Sequence, residues 1–321
     1  MNDAGVDVIV NRKAKRLLDG RSDRGARGVV RAIARAATGG AAAPARVHET
    51  SDLDQLAEVA RAIADRGTDA VVLAGGDGSA MAGLSALARA YGGRALPPIG
   101  LAPGGNVCTV ARNLGVSGSA AGRVVRAARA GTARTTAQAT LRVRDDAGGD
   151  RVGFIFGAGL VVRFFDAYYA APDPGLAAAA SLVARIFAGS FTGGALATQV
   201  LTPTPCTLRV DGETRAGRAW SLVLASTVRD VGLHMLVPYR AGEATDRVHA
   251  VASGLPARAL AAQLPRVLRG RPLVGEPRVD ALVKSLRVSF EDGGGYVLDG
   301  DVFRARAVSV EPGPVLQMLL P

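Results

Sequence analysis

The sequence predicts an α/β amino-terminal domain with a Rossmann-like parallel sheet, followed by a mainly antiparallel β-sandwich domain. Three observations carry this. From Val6 to about Asn113, short apolar strands alternate with helical segments, the pattern of parallel strands joined by right-handed crossovers. Two glycine turns, Gly75–Gly78 and Gly104–Gly105, follow such strands, where open α/β sheets bind ligands. From about Thr135 the pattern becomes strand–turn–strand.

Taken in order, Val6–Val10 is an apolar strand ending at Asn11, and a basic helix over about Asp23–Ala37 follows. A second strand covers Ala45–His48. Glu49-Thr50-Ser51-Asp52 caps a helix whose Leu53, Leu56, Val59, Ala60 and Ile63 recur at helical spacing. Ala70–Ala74 reads as a strand buried on both faces. Ser79 is the expected N-cap of the next helix, through about Ala90. Ile99–Leu101 is a short strand, and Val107–Asn113 a helix. In the second half, Thr140–Arg144 and Arg151–Phe156 form a hairpin, and Gly157-Ala158-Gly159 turns into a helical region, Leu160–Ser190, broken at Pro172-Asp173-Pro174. Strands at 207–210, 219–226, 286–290, 296–298 and 305–310 complete the domain, interrupted by one helix at Ala257–Leu268.

The stretch Gly75-Gly76-Asp77-Gly78-Ser79 has the chemistry of a phosphate cradle: glycines allow close backbone approach, and a helix start offers unpaired N–H groups to an anion. An ordinary βα turn with a capping aspartate is the plainer alternative. It is no Walker loop, having no Gly-Lys-Ser/Thr. Nor is it a dinucleotide fingerprint, because Gly83 falls at the wrong spacing and no acidic residue stands near Arg94–Pro98.

Composition narrows the partners. The chain has 321 residues, 48% hydrophobic and 21% charged, with a net charge of +11. The excess is almost all arginine, which suits phosphorylated substrates, anionic membranes or nucleic acid. Aromatic residues are only 4% and do not interleave with a basic stripe, which argues against single-strand binding. No apolar run approaches the ~20 residues of a membrane span, and the amino end lacks signal-peptide features. Cys108 and Cys206 set no disulfide or metal pattern. The expected location is cytoplasmic, peripheral at the inner face of the membrane; oligomeric state stays open.

With these residues in place, the sequence resembles the diacylglycerol kinase catalytic family, bacterial lipid kinases related to sphingosine and ceramide kinases. Asn11 stands at that family's first-strand Asn-Pro, with Arg12 in place of the proline. Thr50 matches a threonine before a helix, and Gly75–Ser79 match Gly-Gly-Asp-Gly-Thr. Pro103-Gly104-Gly105 and Ala111-Arg112 match Pro-x-Gly-Thr-x-Asn…Ala-Arg, which places Asn106 at the threonine and Cys108 at the asparagine. Phe156-Gly157-Ala158-Gly159 resembles the turn opening a lipid-binding region, and Asp299-Gly300-Asp301 the late Asp-Gly-Glu. The Asp-Gly-x-Leu-Asp stretch for a structural magnesium is not recognisable near Glu243–Arg247.

The resemblance implies a nucleotide-binding domain at 1–134, rejoined by 312–321, and a lipid-binding domain at 135–311. It implies transfer of the γ-phosphate of ATP to a lipid hydroxyl such as that of diacylglycerol, with Mg²⁺ as cofactor. On that reading Asn11, Thr50, Gly75, Gly76, Asp77, Gly78, Ser79, Gly104, Gly105 and Asn106 hold ATP. Phe156, Gly157 and Gly159 meet the lipid, and contact with anionic membrane is peripheral. Asp77 acts through Mg²⁺ or its water shell, and Asp301 is the general base. Val210-Asp211-Gly212-Glu213 spells the acidic motif more faithfully, but its early position favours the late copy. The aromatic residues of 164–191 either pack a core or line an acyl groove, and His48, His234 and His249 are structural. A non-catalytic lipid- or nucleotide-binding relative is the first alternative, and a nucleic-acid-binding protein the second.

Overall fold

The computed structural model describes residues 5–12, 45–104, 107–116, 121–172 and 174–320. The expected basic helix at 23–37 and the site residues Gly105 and Asn106 lie outside them. The chain divides into two units, residues 1–138 with 315–321, and residues 139–314.

In the first unit, β1 (Val6–Asn11), β2 (Ala45–Thr50), α1 (Leu53–Arg66), β3 (Ala70–Gly75), α2 (Asp77–Tyr91), β4 (Ile99–Pro103), α3 (Thr109–Asn113), α4 (Ala121–Arg129) and β5 (Arg134–Gln138) follow in order. The sheet order is β2-β1-β3-β4-β17-β5, where β17 is Leu316–Leu320. All neighbours are parallel except β5, which runs antiparallel to β17. That pairing holds 135–138 in the first unit, beyond the expected boundary at 134. As its run of apolar residues required, β3 is buried at all six positions. Val8, Val10, Val72 and Ala74 meet Val124, Val125 and Leu319 in one apolar cluster.

The cap of α1 is Asp52, whose carboxylate accepts the Gln55 N–H at 2.9 Å. Leu56, Ala60, Ile63 and Ala64 form its buried face. Leu53, expected on that face, sits in the first turn and is 72% exposed. At the opposite end of the sheet, Asp7 is fully buried in β1 and accepts from His48 Nε2 and Arg66 Nη2, both at 2.7 Å. Burial alone would raise its pKa, but hydrogen bonds from His48, Thr68 and Arg66 outweigh it and hold the carboxyl below its ordinary value. A lowered carboxyl pKa stabilises the fold above the unfolded-state pKa, and that stability is lost as pH falls through the folded pKa. Asp7→Asn is therefore expected to cost about 3 kcal/mol at pH 7, by urea unfolding. The gap to the parent should shrink below about pH 4; an equal gap at both pH values would refute this account.

The second unit comprises β6 (Leu141–Asp145), β7 (Asp150–Gly153), β8 (Ile155–Gly159), α5 (Leu160–Tyr169), α6 (Leu176–Thr192), α7 (Ala195–Leu201), β9 (Thr204–Val210), β10 (Glu213–Thr214), β11 (Ala219–Trp220), β12 (Leu222–Ser226), β13 (Val248–Ser253), α8 (Ala257–Ala261), α9 (Leu264–Val267), β14 (Arg278–Val283), β15 (Leu286–Leu298) and β16 (Asp301–Pro312). Its strands form one eleven-stranded antiparallel sheet. β15 pairs with β9 through Leu286–Phe290 and with β8 through Tyr296–Leu298, and its register shifts between Ser289 and Gly294. That bulge lets one long strand serve two neighbours.

Three sequence expectations are corrected. Phe156–Gly159 is not a turn but most of β8, buried between β12 and β15; the chain turns only at Gly159, whose φ is +70°. The helix expected at 257–268 is two short pieces, the second starting at Leu264-Pro265, because proline cannot continue the first. An additional helix, α7, follows Gly193-Gly194, bent by 101° from α6.

Candidate functional site

The carboxyl ends of β1, β2, β3 and β4 bring the first-domain candidates together. Asn11 pairs in register with Thr50, and Gly75 with Pro103. Thr50 is buried, and its carbonyl accepts the Arg12 N–H. The two glycine loops touch directly, the Gly104 N–H donating to the Gly75 carbonyl at 2.8 Å.

Ser79 does not cap α2. Gly76 is the N-cap residue, and Ser79 instead accepts from Asn11 Nδ2 at 2.8 Å. This bond spans 68 positions of sequence, so no local pattern signals it. It draws the Ser79 side chain over Gly75, where a Cβ would come within 2.5 Å of Ser79 Cβ. Any larger residue at position 75 collides with the serine, which explains that glycine by close approach.

Asp77 ties the second loop to the first. Its carboxylate accepts the N–H groups of Thr109 and Val110, at 2.8 and 3.1 Å, at the start of α3. Burial pushes the Asp77 carboxyl up, opposed by these two N–H groups and the Arg112 charge. Both oxygens are thus engaged by backbone, and among the described residues no three acidic, histidine or cysteine side chains gather closely enough to hold a metal ion. Asp77 is observed as an acceptor of backbone N–H groups. It is a cross-loop cap at the head of α2, whose first N–H groups have no partner within the helix.

Cys108, between the loop and α3, adopts a left-handed backbone at φ +51°. That region suits asparagine far better than cysteine, and asparagine is the residue the resemblance places there. Cys108→Asn is expected to raise stability by up to about 1 kcal/mol, read as a higher urea midpoint with an unchanged slope; a lower midpoint would refute the backbone account.

In the second unit the two acidic turns prove to be the same device. Leu298 pairs with Asp301, and Val210 with Glu213, so each hairpin has an Asp-Gly loop with both residues at positive φ. Each turn aspartate is spent on backbone. Asp299 accepts from Phe154 N–H (3.1 Å) and Ile155 N–H (2.8 Å), and Asp211 from Lys284 and Ser285 N–H, both at 2.8 Å. What differs is the surroundings. Asp299 is buried, and Tyr169 Oη donates to the Gly300 carbonyl at 2.9 Å. Behind that hairpin, Tyr296 donates to Asp145 at 2.6 Å and stacks on Phe303, over which Arg151 lies at 4.0 Å. Asp301 is exposed at the head of β16, while Glu213 is exposed beside Arg215 at 3.5 Å.

Phe156 is fully buried and packs on Tyr296 with ring centroids 5.6 Å apart, so its side chain belongs to the sheet's core. A Cβ at Gly157 would meet Val161 of α5, which gives this glycine a packing role beside any ligand role. Of the aromatic residues, Phe164, Phe165 and Tyr168 pack the apolar cluster under α5–α9. His48 and His249 are held by Asp7 and Asp280, and His234 is exposed. The bracing roles of Asp299 and Tyr169 went unread in the sequence; the Asp-Gly dipeptide was the available signal for the first, and nothing local signals the second.

Residues 7–141 match the family model described as the diacylglycerol kinase catalytic domain. Among solved structures, a diacylglycerol kinase from Bacillus anthracis str. Sterne superposes with a TM-score of 0.64 at 14% identity, covering 99% of this chain and 97% of that one. A further structure from the same organism gives a TM-score of 0.69 at 15% identity, covering 99% and 96%. At such identities the likeness is one of fold. No curated protein sequence matches.

Proposed function

We propose that this chain, whose residues 7–141 match the catalytic domain of a kinase family, is an ATP-dependent lipid kinase working peripherally at the inner face of an anionic membrane. The first unit takes the nucleotide and the second the lipid. The observation that carries the reading is the joined pair of glycine loops, in which Asp77 withdraws its charge onto Thr109 and Val110. A carboxylate facing the cradle would repel phosphate; here the backbone N–H groups of Gly76 and Gly78 are left to receive it, while the Gly104 N–H holds the second loop against Gly75. Asn11 supports the loop through Ser79, and Thr50 stands beside Asn11 on the neighbouring strand.

Phosphoryl transfer needs positioning and charge neutralisation more than covalent chemistry. The lipid hydroxyl oxygen bonds to the γ-phosphorus, the bond to ADP breaks, and Asp301 accepts the hydroxyl proton. Incubation with labelled ATP and a total lipid extract is expected to yield a labelled phospholipid, phosphatidic acid where diacylglycerol is the acceptor, identified by mass spectrometry. Tight ATP binding in calorimetry with no label in any lipid would overturn the kinase and leave a non-catalytic binding protein.

A further inference from the structure

We propose that the helical cap of the second unit, built from α6 to α9, is the surface that docks on an anionic bilayer. Residues 174–210 and 247–275, which supply these helices, contain no aspartate or glutamate. Their inner faces share one apolar cluster, through Leu182, Ile186, Val200, Leu260 and Val267. The solvent face of a helix in a globular protein ordinarily carries charge. The outward positions of α6 are instead Leu176, a series of alanines, Ser181, Arg185 and Phe191. Leu176, Phe191, Leu268 and Val274 are 40, 42, 39 and 52% exposed.

The charges on this cap are of one sign. Arg258, Arg269 and Arg271 are exposed, and neither they nor Arg185 form an ion pair among the described residues. Arg258 lies over the Phe191 ring at 5.9 Å, tying the basic piece to the apolar end of α6. Of the acidic residues that flank these segments, Asp211 accepts the Lys284 and Ser285 N–H groups, and Asp246 and Glu276 face Arg247 and Arg278. Exposed apolar side chains among uncompensated arginines complement a surface of acyl chains beneath anionic headgroups. A protein partner would need an equally acidic and apolar face, which a bilayer supplies everywhere. No single helix here is long and apolar enough to cross a membrane, and α6 and α7, which have the length and composition only together, are bent from one another by 101° and share their inner faces with the apolar cluster.

The inference deepens the membrane contact of the proposed kinase, but its test does not depend on catalysis. The full chain is sedimented with phosphatidylcholine vesicles with or without phosphatidylglycerol, at low and high salt. Expected is binding to anionic vesicles that weakens as salt rises. Arg269→Gln with Arg271→Gln should reduce it about 30-fold, and Leu176→Ser with Phe191→Ser at least as much. Arg209→Gln with Arg287→Gln removes the same charge from an exposed arginine pair on β9 and β15 and should leave it unchanged. Circular dichroism checks that the variants fold. In Phe191→Trp, anionic vesicles carrying brominated acyl chains should quench the new fluorescence. No vesicle binding by the parent, no quenching, or an equal loss in the β9/β15 pair would overturn the docking face. Binding as expected without lipid phosphorylation would overturn the kinase and leave the docking face standing.

Discussion

Asp301→Asn is expected to lower kcat for lipid phosphorylation by about 10²–10⁴, with KM for ATP little changed, whereas Glu213→Gln is expected to be nearly silent. The two residues occupy equivalent places in two hairpins of one design, so the comparison cancels the generic effect of removing an exposed hairpin carboxylate. In each hairpin the preceding aspartate is bound to backbone N–H groups. The third residue of each motif is the carboxylate the two substitutions compare. The hairpin of Asp301 is the braced one: Asp299 is buried, Tyr169 holds the turn carbonyl, and Tyr296 and Arg151 pack behind it. Positioning of this kind is what a general base needs, since small displacements cost heavily in rate. Asp301→Glu, with one more methylene of reach, should remain active. Side-by-side kinetics decide the matter: an inactive Glu213→Gln beside an active Asp301→Asn would reverse the assignment.

Much of this was legible in the sequence where local chemistry and packing agree. The β3 strand announced itself by an apolar run that only a doubly covered strand can bury, and the glycines after it marked the loop. What escaped was set by partners distant in sequence. Ser79 had the composition of an N-cap, but its hydroxyl takes a hydrogen bond from Asn11 across the sheet. Gly157 reads as a turn residue by composition, yet it lies in β8, where the close approach of Val161 is the reason for glycine. The two acidic turns were ranked by position alone, because the buried bracing of one of them involves Tyr169, Phe154 and Ile155 from remote segments. The helix α7 was hidden because Gly193-Gly194 looks like the end of helical structure and is instead a sharp bend within it.

Asp77→Asn is expected to weaken ATP binding by roughly 10–100-fold while kcat at saturating ATP stays within about threefold of the parent. The expectation follows from what the carboxylate touches. Its two oxygens accept from Thr109 and Val110, so the residue fastens the second glycine loop and α3 to the first. An asparagine amide offers one acceptor oxygen and turns a donor toward the other N–H, leaving that buried group unpaired at a cost of about 1–3 kcal/mol. Because the direct link from Gly104 N–H to Gly75 remains, the loops should loosen rather than separate. The nucleotide must then order them on binding, which raises its dissociation constant; once it is bound, the transferring phosphate meets the same backbone groups. A role in the chemical step predicts the opposite division, a large fall in kcat with KM for ATP preserved. Isothermal titration with ATP alongside initial-rate kinetics separates the two, and a preserved dissociation constant with collapsed turnover would return Asp77 to the reacting centre.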